Sequence, residues 1–273
     1  MATAEPPAFS KVPLLETRNP EDYTLPMPFV KGIHHLHPND RAFPALLKEL
    51  AQPPQQLWVR GDLSVLSKTL VAVVGTRRAS ADGVAFTQLL VRQLNAVPDV
   101  VTVSGLAFGI DAATHQAAVD GGRPTIAVLA SGVDRPTPTT HERLAADILD
   151  SGGCLVSEYP PGTDAHKGRF PARNRIIAGL AKATVVVEAG EPSGALITGY
   201  LALDANREVL AVPGSPLNPS AAGTIGLLRR GAAVCASADD ILEALGLERT
   251  APIGASIQAK DDDPSRLLGC LES

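Results

Sequence analysis

A short basic segment carries the clearest chemistry in the sequence. Between positions 166 and 175 there are four fixed cations and no acid; the cations are Lys167, Arg169, Arg173 and Arg175. Phe170 lies among them, and cations beside an aromatic ring suit a single strand of nucleic acid, because cations bind phosphates and rings stack on bases. Positions two apart diverge on a helix, so either Arg173 or Arg175 is free for a structural role. Phe170 fits a stacking surface and a core plug equally well.

A glycine turn earlier in the chain is suited to an anion. Gly75 ends an apolar run and is followed by Arg77 and Arg78, and Ser80 is placed to cap the next helix. Glycine lets the backbone approach a ligand, and the unpaired amides of a helix N-terminus favour negative charge. The two arginines fit either an anion site or surface salt bridges. The glycine spacing matches neither the dinucleotide motif nor the phosphate-binding loop.

Two further turns lead into helices. Ser193 and Gly194 form an amide nest suited to a phosphate or a carboxylate, and Glu188 before them is either a reactive carboxylate or a partner for such amides. The segment from Ser104 and Gly105 to Asp111 is a tight turn, in which we expect Asp111 to lie at a helix start where the dipole favours a carboxylate.

No spacing in the sequence specifies catalysis. We expect His115 to be structural, since no serine, cysteine and histidine set assembles around it and no carboxylate pair fits hydrolysis. The three cysteines are widely spaced without a CxxC pair, which argues against a disulfide framework and a zinc site. The sequence therefore predicts no catalytic residue, no metal and no cofactor.

Short apolar runs alternate with segments of helical length from Leu70 onward. The predicted strands are 70–74, 100–103, 125–129, 154–157, 184–187 and 208–212, with a brief one at 57–59. The predicted helices are 40–50, 80–97, 110–120, 139–150, 172–181, 193–205, 221–230 and 239–247. Continuous apolar strands are buried on both faces, and parallel strands need crossover helices. The pattern predicts an α/β fold: an extended Rossmann-like, mostly parallel sheet with helices on both faces, and ligands at the carboxyl ends of its strands.

Composition and charge divide the 273 residues into three parts. Residues 1–40 are rich in proline and predict a flexible or surface-draped arm, 41–238 the core, and 239–273 a short helix and acidic tail. Residues 1–238 hold 21 Lys+Arg and 21 Asp+Glu, while 239–273 hold 3 and 8, so the tail supplies the net charge of −5. A hydrophobic content of 45% excludes a disordered chain. With no signal peptide and no apolar run long enough to span a membrane, we expect a cytoplasmic protein.

The order of several motifs resembles one family. The motifs, in chain order, are 73-VVGTR-77, 104-SGLAFGID-111 with His115, 157-SEY-159, 170-FPARNRIIAG-179, Glu188-Ala189 with 193-SGALIT-198, and 211-AVPG-214. Together they resemble the DNA-processing protein A family, also called Smf, over roughly residues 40–235. The resemblance implies a Rossmann-like domain that binds single-stranded DNA, forms a homodimer and helps to load a RecA-type recombinase in natural transformation. It implies no catalysis.

The resemblance also implies where DNA binds. Arg77 matches a family arginine that contacts phosphates, Lys167 and Phe170 match a lysine and a base-contacting aromatic, and 173–175 match the family's RNR run. With the turns described above, the predicted DNA-binding residues are Gly75, Arg77, Arg78, Ser104, Gly105, Lys167, Arg169, Phe170, Arg173, Asn174, Arg175, Ser193 and Gly194.

The sequence departs from the family pattern at three places. Phe108 stands where the family commonly has arginine, His141 where it has asparagine, and 222-AGTI-225 replaces a glycine, serine and asparagine segment. The alternative interpretation is a protein that binds or hydrolyses a nucleotide-like small molecule, since amide nests on such a sheet also suit a phosphorylated ligand. The glutamate that related nucleotide-cleaving folds use is missing from 192-PSGALIT-198. A nicotinamide dehydrogenase is a more distant alternative.

Overall fold

A computed structural model describes residues 32–247 and contains one nine-stranded sheet. The strands are β1 (Ile33–Leu36), β2 (Leu57–Gly61), β3 (Thr69–Val74), β4 (Val100–Ser104), β5 (Thr125–Leu129), β6 (Cys154–Ser157), β7 (Ala183–Val186), β8 (Glu208–Ala211) and β9 (Ala233–Val234). Their spatial order is β1-β2-β6-β5-β4-β3-β7-β8-β9. β3 to β9 pair in parallel, whereas β1 pairs antiparallel with β2, and β2 antiparallel with β6. The predicted fold class is confirmed.

Seven α-helices connect or cover these strands in the described part of the chain. They are α1 (Ala81–Asn95), α2 (Ile110–Asp120), α3 (Glu142–Asp150), α4 (Arg169–Leu180), α5 (Gly194–Asp204), α6 (Ala222–Arg229) and α7 (Ala238–Ala244). Short 3₁₀ helices span Ala45–Glu49, Leu63–Ser67, Thr139–His141 and Pro219–Ala221. Among residues 32–247, no helix is long and apolar enough to cross a membrane.

The two faces of the sheet bury alternate residues of β3. Val71 and Val73 pack in the layer with α1, α2 and α7, whereas Leu70, Ala72 and Val74 pack in the layer with α4, α5 and α6. Successive side chains of a strand point to opposite faces, so an all-apolar strand is the pattern that two helical layers require. This is why the continuous apolar runs in the sequence predicted the sheet correctly.

The structure differs from the sequence prediction at both ends of the described chain. β1 lies inside the segment predicted to be an arm without regular structure, while residues 1–31 lie outside the described residues. The helix predicted over 40–50 is a 3₁₀ helix at Ala45–Glu49, preceded by Pro44. α7 crosses the predicted boundary at 239 and buries Ile241 and Leu242 in the core, so it belongs to the folded body. The acidic tail after Leu247 lies outside the described residues.

Parallel register brings the ends of the central strands together. Val74 of β3 pairs with Val186 of β7, and Ala72 with Val103 of β4, so the three strands end at one edge of the sheet. The turns that follow β3, β4 and β7 therefore meet there, as expected for a ligand site in an open α/β sheet.

Candidate nucleic-acid interface

A cavity of about 630 Å³ lies at this edge, between the turn after β3 and the N-terminal ends of α4 and α5. Most of the predicted site residues line it: Gly75, Arg77, Arg78, Lys167, Phe170, Arg173, Asn174, Ser193 and Gly194. Ser104, Gly105, Arg169 and Arg175 are not part of its wall. Segments more than 100 residues apart in sequence thus form a single basic site.

Close backbone packing fixes the turn after β3. The amide of Thr76 donates to the carbonyl of Glu188 at 2.7 Å. A Cβ on Gly75 would lie 2.4 Å from the Ile110 side chain, and one on Gly109, whose φ is +75°, would lie 2.2 Å from the Thr76 carbonyl oxygen. Side chains at either glycine would push these turns apart, so the position of Arg77 depends on both.

Arg77, Arg78 and Lys167 supply exposed positive charge at the cavity. All three side chains are exposed, and none forms an ion pair with another residue in the range 32–247. The sequence allows either an anion site or surface salt bridges for Arg77 and Arg78, and within this range no such salt bridge is observed. Exposed cations without acidic partners are free to bind an anion.

Phe170 lines the cavity and is not a core plug. Its ring is partly buried and lies outside the hydrophobic core clusters, with the Arg77 Cζ atom 5.5 Å from the ring centroid. A cation over an aromatic face is a favourable arrangement that also orients the arginine. The ring and the guanidinium together form a surface on which a base and its phosphate could bind.

Arg173 is held by the protein itself. Its side chain is 6% exposed and donates to the carbonyls of Gly105, at 2.6 Å, and Val128. Burial lowers the pKa of Arg173 to about 10, an effect that the nearby Asp111 carboxylate opposes. The guanidinium is therefore charged at neutral pH, but its hydrogen bonds fasten α4 to the ends of β4 and β5.

The other members of the RNR run are also occupied. The Asn174 amide donates to the Gly194 carbonyl at 3.2 Å and ties α4 to α5. Arg175 pairs with Glu158 at 2.5 Å and donates to the Gln52 carbonyl at 2.8 Å, away from the cavity. The sequence predicts a structural role for one of the two arginines, Arg173 or Arg175. In the structure both of them have structural contacts.

Arg169, the remaining cation of the basic segment, is turned away from the cavity. It donates to the Asp164 carbonyl, and its Cζ lies 4.6 Å from the ring centroid of Tyr159. It was predicted as a DNA contact, but these partners hold its side chain beside the loop that leads into α4.

Only one of the predicted amide nests is open. The Ser80 amide and hydroxyl donate to the Glu188 carboxylate, at 2.9 and 2.5 Å, so a protein carboxylate fills the nest at the start of α1. At the start of α5, Ser193 Oγ accepts from the Ala195 amide, and no atom would meet a Cβ on Gly194 within 4 Å. The α5 N-terminus therefore faces open space, and its dipole favours an anion in the cavity.

Ser104 and Gly105 lie beneath the cavity wall. Ser104 is fully buried and donates to the Val73 carbonyl at 2.7 Å, and the Arg173 guanidinium covers Gly105. Both residues are predicted from the sequence as DNA contacts. In the structure they contact buried protein groups instead, because the turn after β4 packs under α4. Their observed contacts position Arg173.

Asp111 and His115 of α2 are buried structural groups. The Asp111 carboxylate accepts from the amides of Gly105 and Ala107, at 3.1 and 3.4 Å; burial raises its pKa, while the Arg173 charge opposes the rise. Burial also lowers the pKa of His115 to about 3, and its Nδ1 hydrogen-bonds Thr125 Oγ1 at 3.0 Å. A neutral, buried imidazole agrees with the structural role predicted for it.

Several residues that line the cavity, including Thr76, Ile197 and Thr198, are not among the residues predicted from the sequence. Helical spacing could have predicted Ile197 and Thr198, because positions three and four residues beyond Gly194 lie near it on the same face of the helix. Within residues 32–247, no cluster of three or more His, Cys, Asp or Glu side chains is placed to bind a metal.

Comparison with known proteins identifies the family. Residues 34–246 match the family model of the DNA recombination-mediator protein A. The chain is 41% identical to the DNA processing protein DprA of Bacillus subtilis over 216 residues, which is 79% of this chain and 72% of that protein. It is 42% identical to the protein Smf of Escherichia coli over 213 residues, covering 78% of this chain and 57% of that protein.

Two solved structures share the fold. DNA processing protein A from Streptococcus pneumoniae has a TM-score of 0.73 and 39% identity, covering 78% of this chain and 74% of that one. DNA processing protein A from Helicobacter pylori, whose single-stranded DNA binding mode has been described, has a TM-score of 0.69 and 29% identity, covering 78% and 95%. The resemblance found in the sequence is confirmed.

Proposed function

The chain belongs to the DNA recombination-mediator protein A family, and we propose that its cavity binds single-stranded DNA. The observation that carries the proposal is the meeting, in one cavity, of an aromatic ring, an open helix N-terminus and three cations that form no ion pair within residues 32–247. The ligand is held by its phosphates and by stacking on its bases, without readout of sequence.

The charge of the cavity supports an anionic ligand. Arg77, Arg78 and Lys167 are available to phosphates, and the positive charge of Arg173 lies in the wall. The acid among the lining residues, Asp111, is buried and already accepts two backbone hydrogen bonds, so it is not presented to the ligand. A phosphodiester backbone can bind here without meeting an opposing carboxylate.

The aromatic ring favours a single strand over a duplex. Phe170 lies within the cavity with Arg77 over its face, where an unpaired base can insert beside a phosphate contact. Bases of a duplex are already stacked on one another and cannot reach a recessed ring. Base stacking on aromatic side chains is tolerant of sequence, because every base has a π-face.

The proposal predicts a marked salt dependence. With three phosphate contacts, a fourfold increase in monovalent salt is expected to weaken binding about 20-fold, from a single-strand slope of about −0.7 per contact. Fluorescence anisotropy of a labelled oligothymidylate, titrated at two salt concentrations, measures this. Salt-independent binding, or no binding at low salt, contradicts the proposal.

We further propose the finer functions that the family resemblance implies. The protein acts by binding and not by catalysis, and it is a cytoplasmic homodimer. It protects incoming single strands in natural transformation and delivers them to a RecA-type recombinase. A cavity that holds the strand by backbone and stacking leaves most bases free for such a transfer. Strand exchange by a purified recombinase on coated single strands, with and without this protein, tests the delivery step.

A second candidate function is the binding of a nucleotide-like small molecule. The observation that favours it is the cavity itself, whose volume of about 630 Å³ lies within the range of small-ligand sites and which has an open helix N-terminus in its wall. Thermal stabilisation by mononucleotides, with none by oligonucleotides, would favour this candidate over the first.

A further inference from the structure

Phe108 presents an aromatic ring to solvent beside the cavity. Its side chain is 48% exposed, and the other large exposed hydrophobic residues in the described range are aliphatic. A single exposed apolar residue is common and needs no function by itself. The close backbone packing of its turn and its position beside Arg77 distinguish Phe108 from the other exposed apolar residues.

The turn that carries Phe108 packs directly on the turn that carries Arg77. The Ile110 amide donates to the Thr76 carbonyl at 3.3 Å, and a Cβ on Gly109 would lie 2.9 Å from backbone atoms of Arg77. Ala107, the residue before Phe108, lines the cavity. The chain therefore passes from the cavity wall to the exposed ring within one residue.

His141 holds the ring from the other side. The two ring centroids are 4.8 Å apart with an interplanar angle of 67°, an edge contact. The His141 Nδ1 atom donates to the Leu106 carbonyl at 2.9 Å, which positions the imidazole against the phenyl ring. A ring that is already partly restrained by such a contact loses less side-chain entropy when a base stacks on it than an unrestrained ring would.

We infer that Phe108 is a second base-stacking position, outside the cavity, for the strand whose phosphates Arg77 binds. This rests on the proposed function and extends its site: Phe170 stacks one base inside the cavity, Arg77 contacts the backbone between the rings, and Phe108 stacks a base where the strand leaves. The chemistry recognised is an unpaired nucleobase, of either class, joined to the bound phosphates.

A length series of oligonucleotides tests the inference. Oligothymidylates of about four to about twelve nucleotides, within the usual range of site sizes, are titrated against the wild type and Phe108→Ala. We expect equal affinities for the shortest strands, which fill only the cavity, and about fivefold to tenfold weaker binding by the variant for the longer ones, because it loses one stack. The salt slope is expected to stay unchanged, because no cation is lost.

Two further variants serve as controls. Leu203→Ala removes a similarly exposed apolar side chain from the far end of α5 and is expected to bind every length as the wild type does. Phe108→Trp keeps an aromatic surface and is expected to retain wild-type affinity for long strands. A long strand with abasic sites outside the cavity is expected to bind the wild type and Phe108→Ala equally.

The outcomes separate this inference from the function on which it rests. If the wild type binds no single strand, the proposed function itself fails. If the wild type binds but Phe108→Ala matches it at every length, the stacking position alone is wrong. It is also overturned if the variant loses affinity equally for abasic strands, or changes only the oligomeric mass of the protein.

Discussion

Arg77 and Arg173 contribute to the same cavity but have opposite surroundings. Arg77 is exposed, has no ion pair within the described chain and touches Phe170, whereas Arg173 is 6% exposed and donates to two buried backbone carbonyls. This basic site therefore contains two kinds of arginine: one is available to bind a ligand, and the other stabilises the cavity wall. Both kinds look alike in the sequence.

Removing Arg173 is expected to have the largest effect. Arg173→Ala leaves the Gly105 and Val128 carbonyls and the buried Asp111 without their cation, and we expect a loss of about 3–5 kcal/mol in the free energy of unfolding. Urea unfolding followed by circular dichroism measures it. Arg77→Ala is the matched comparison, expected to change stability by less than about 0.5 kcal/mol, since its side chain is exposed. Equal losses of stability in the two variants would contradict the structural role assigned to Arg173.

His115 is buried like Arg173, and its burial is expected to make the stability of the protein depend on pH. Burial lowers its pKa to about 3, and the Arg173 charge adds to the effect. Below the ordinary histidine pKa of about 6.5, His115 is protonated in the unfolded chain but remains neutral in the folded one. The free energy of unfolding therefore falls as the pH drops from about 6.5 towards 3. Between pH 7 and pH 5 this one group is expected to cost about 2 kcal/mol.

His115→Gln tests that expectation. The difference between the free energies of unfolding at pH 7 and pH 5 is expected to shrink by about 2 kcal/mol in the variant, whatever its stability at pH 7. Chemical unfolding at the two pH values gives both quantities. A pH dependence identical to that of the wild type would show that the histidine titrates normally and is not buried as described.

The sequence predicted the sheet well because its signal is local. Runs such as Thr125–Leu129 and Cys154–Ser157 are buried on both faces, so their composition alone marks them, and both match the structure residue for residue. β1 was not predicted, since Ile33–Leu36 has two histidines and is stabilised by pairing with β2. An edge strand depends on its neighbour more than on its own sequence.

The site was predicted less completely than the sheet, because the role of each site residue depends on contacts with residues far away in the sequence. Arg173 finds its acceptors 68 and 45 residues away, at Gly105 and Val128, and no spacing within the FPARNR segment discloses them. The Glu188 carboxylate, two residues beyond β7, accepts hydrogen bonds from Ser80, the N-cap residue of α1, 108 residues earlier in the chain. Most of the predicted residues line the cavity, but which of their cations have no ion-pair partner within residues 32–247 depends on packing against distant segments.

The proposed function depends on the binding of single-stranded DNA by the exposed cations of the cavity. Its most direct test is the salt dependence of oligothymidylate binding by the double variant Arg77→Ala, Lys167→Ala, with Arg92→Ala as a control that removes an exposed arginine from the last turn of α1. We expect the double variant to lose more than about tenfold in affinity at low salt and about 1.4 in the salt slope, with unchanged melting temperature, while the control behaves as the wild type. Unchanged affinity and slope in the double variant would contradict the claim.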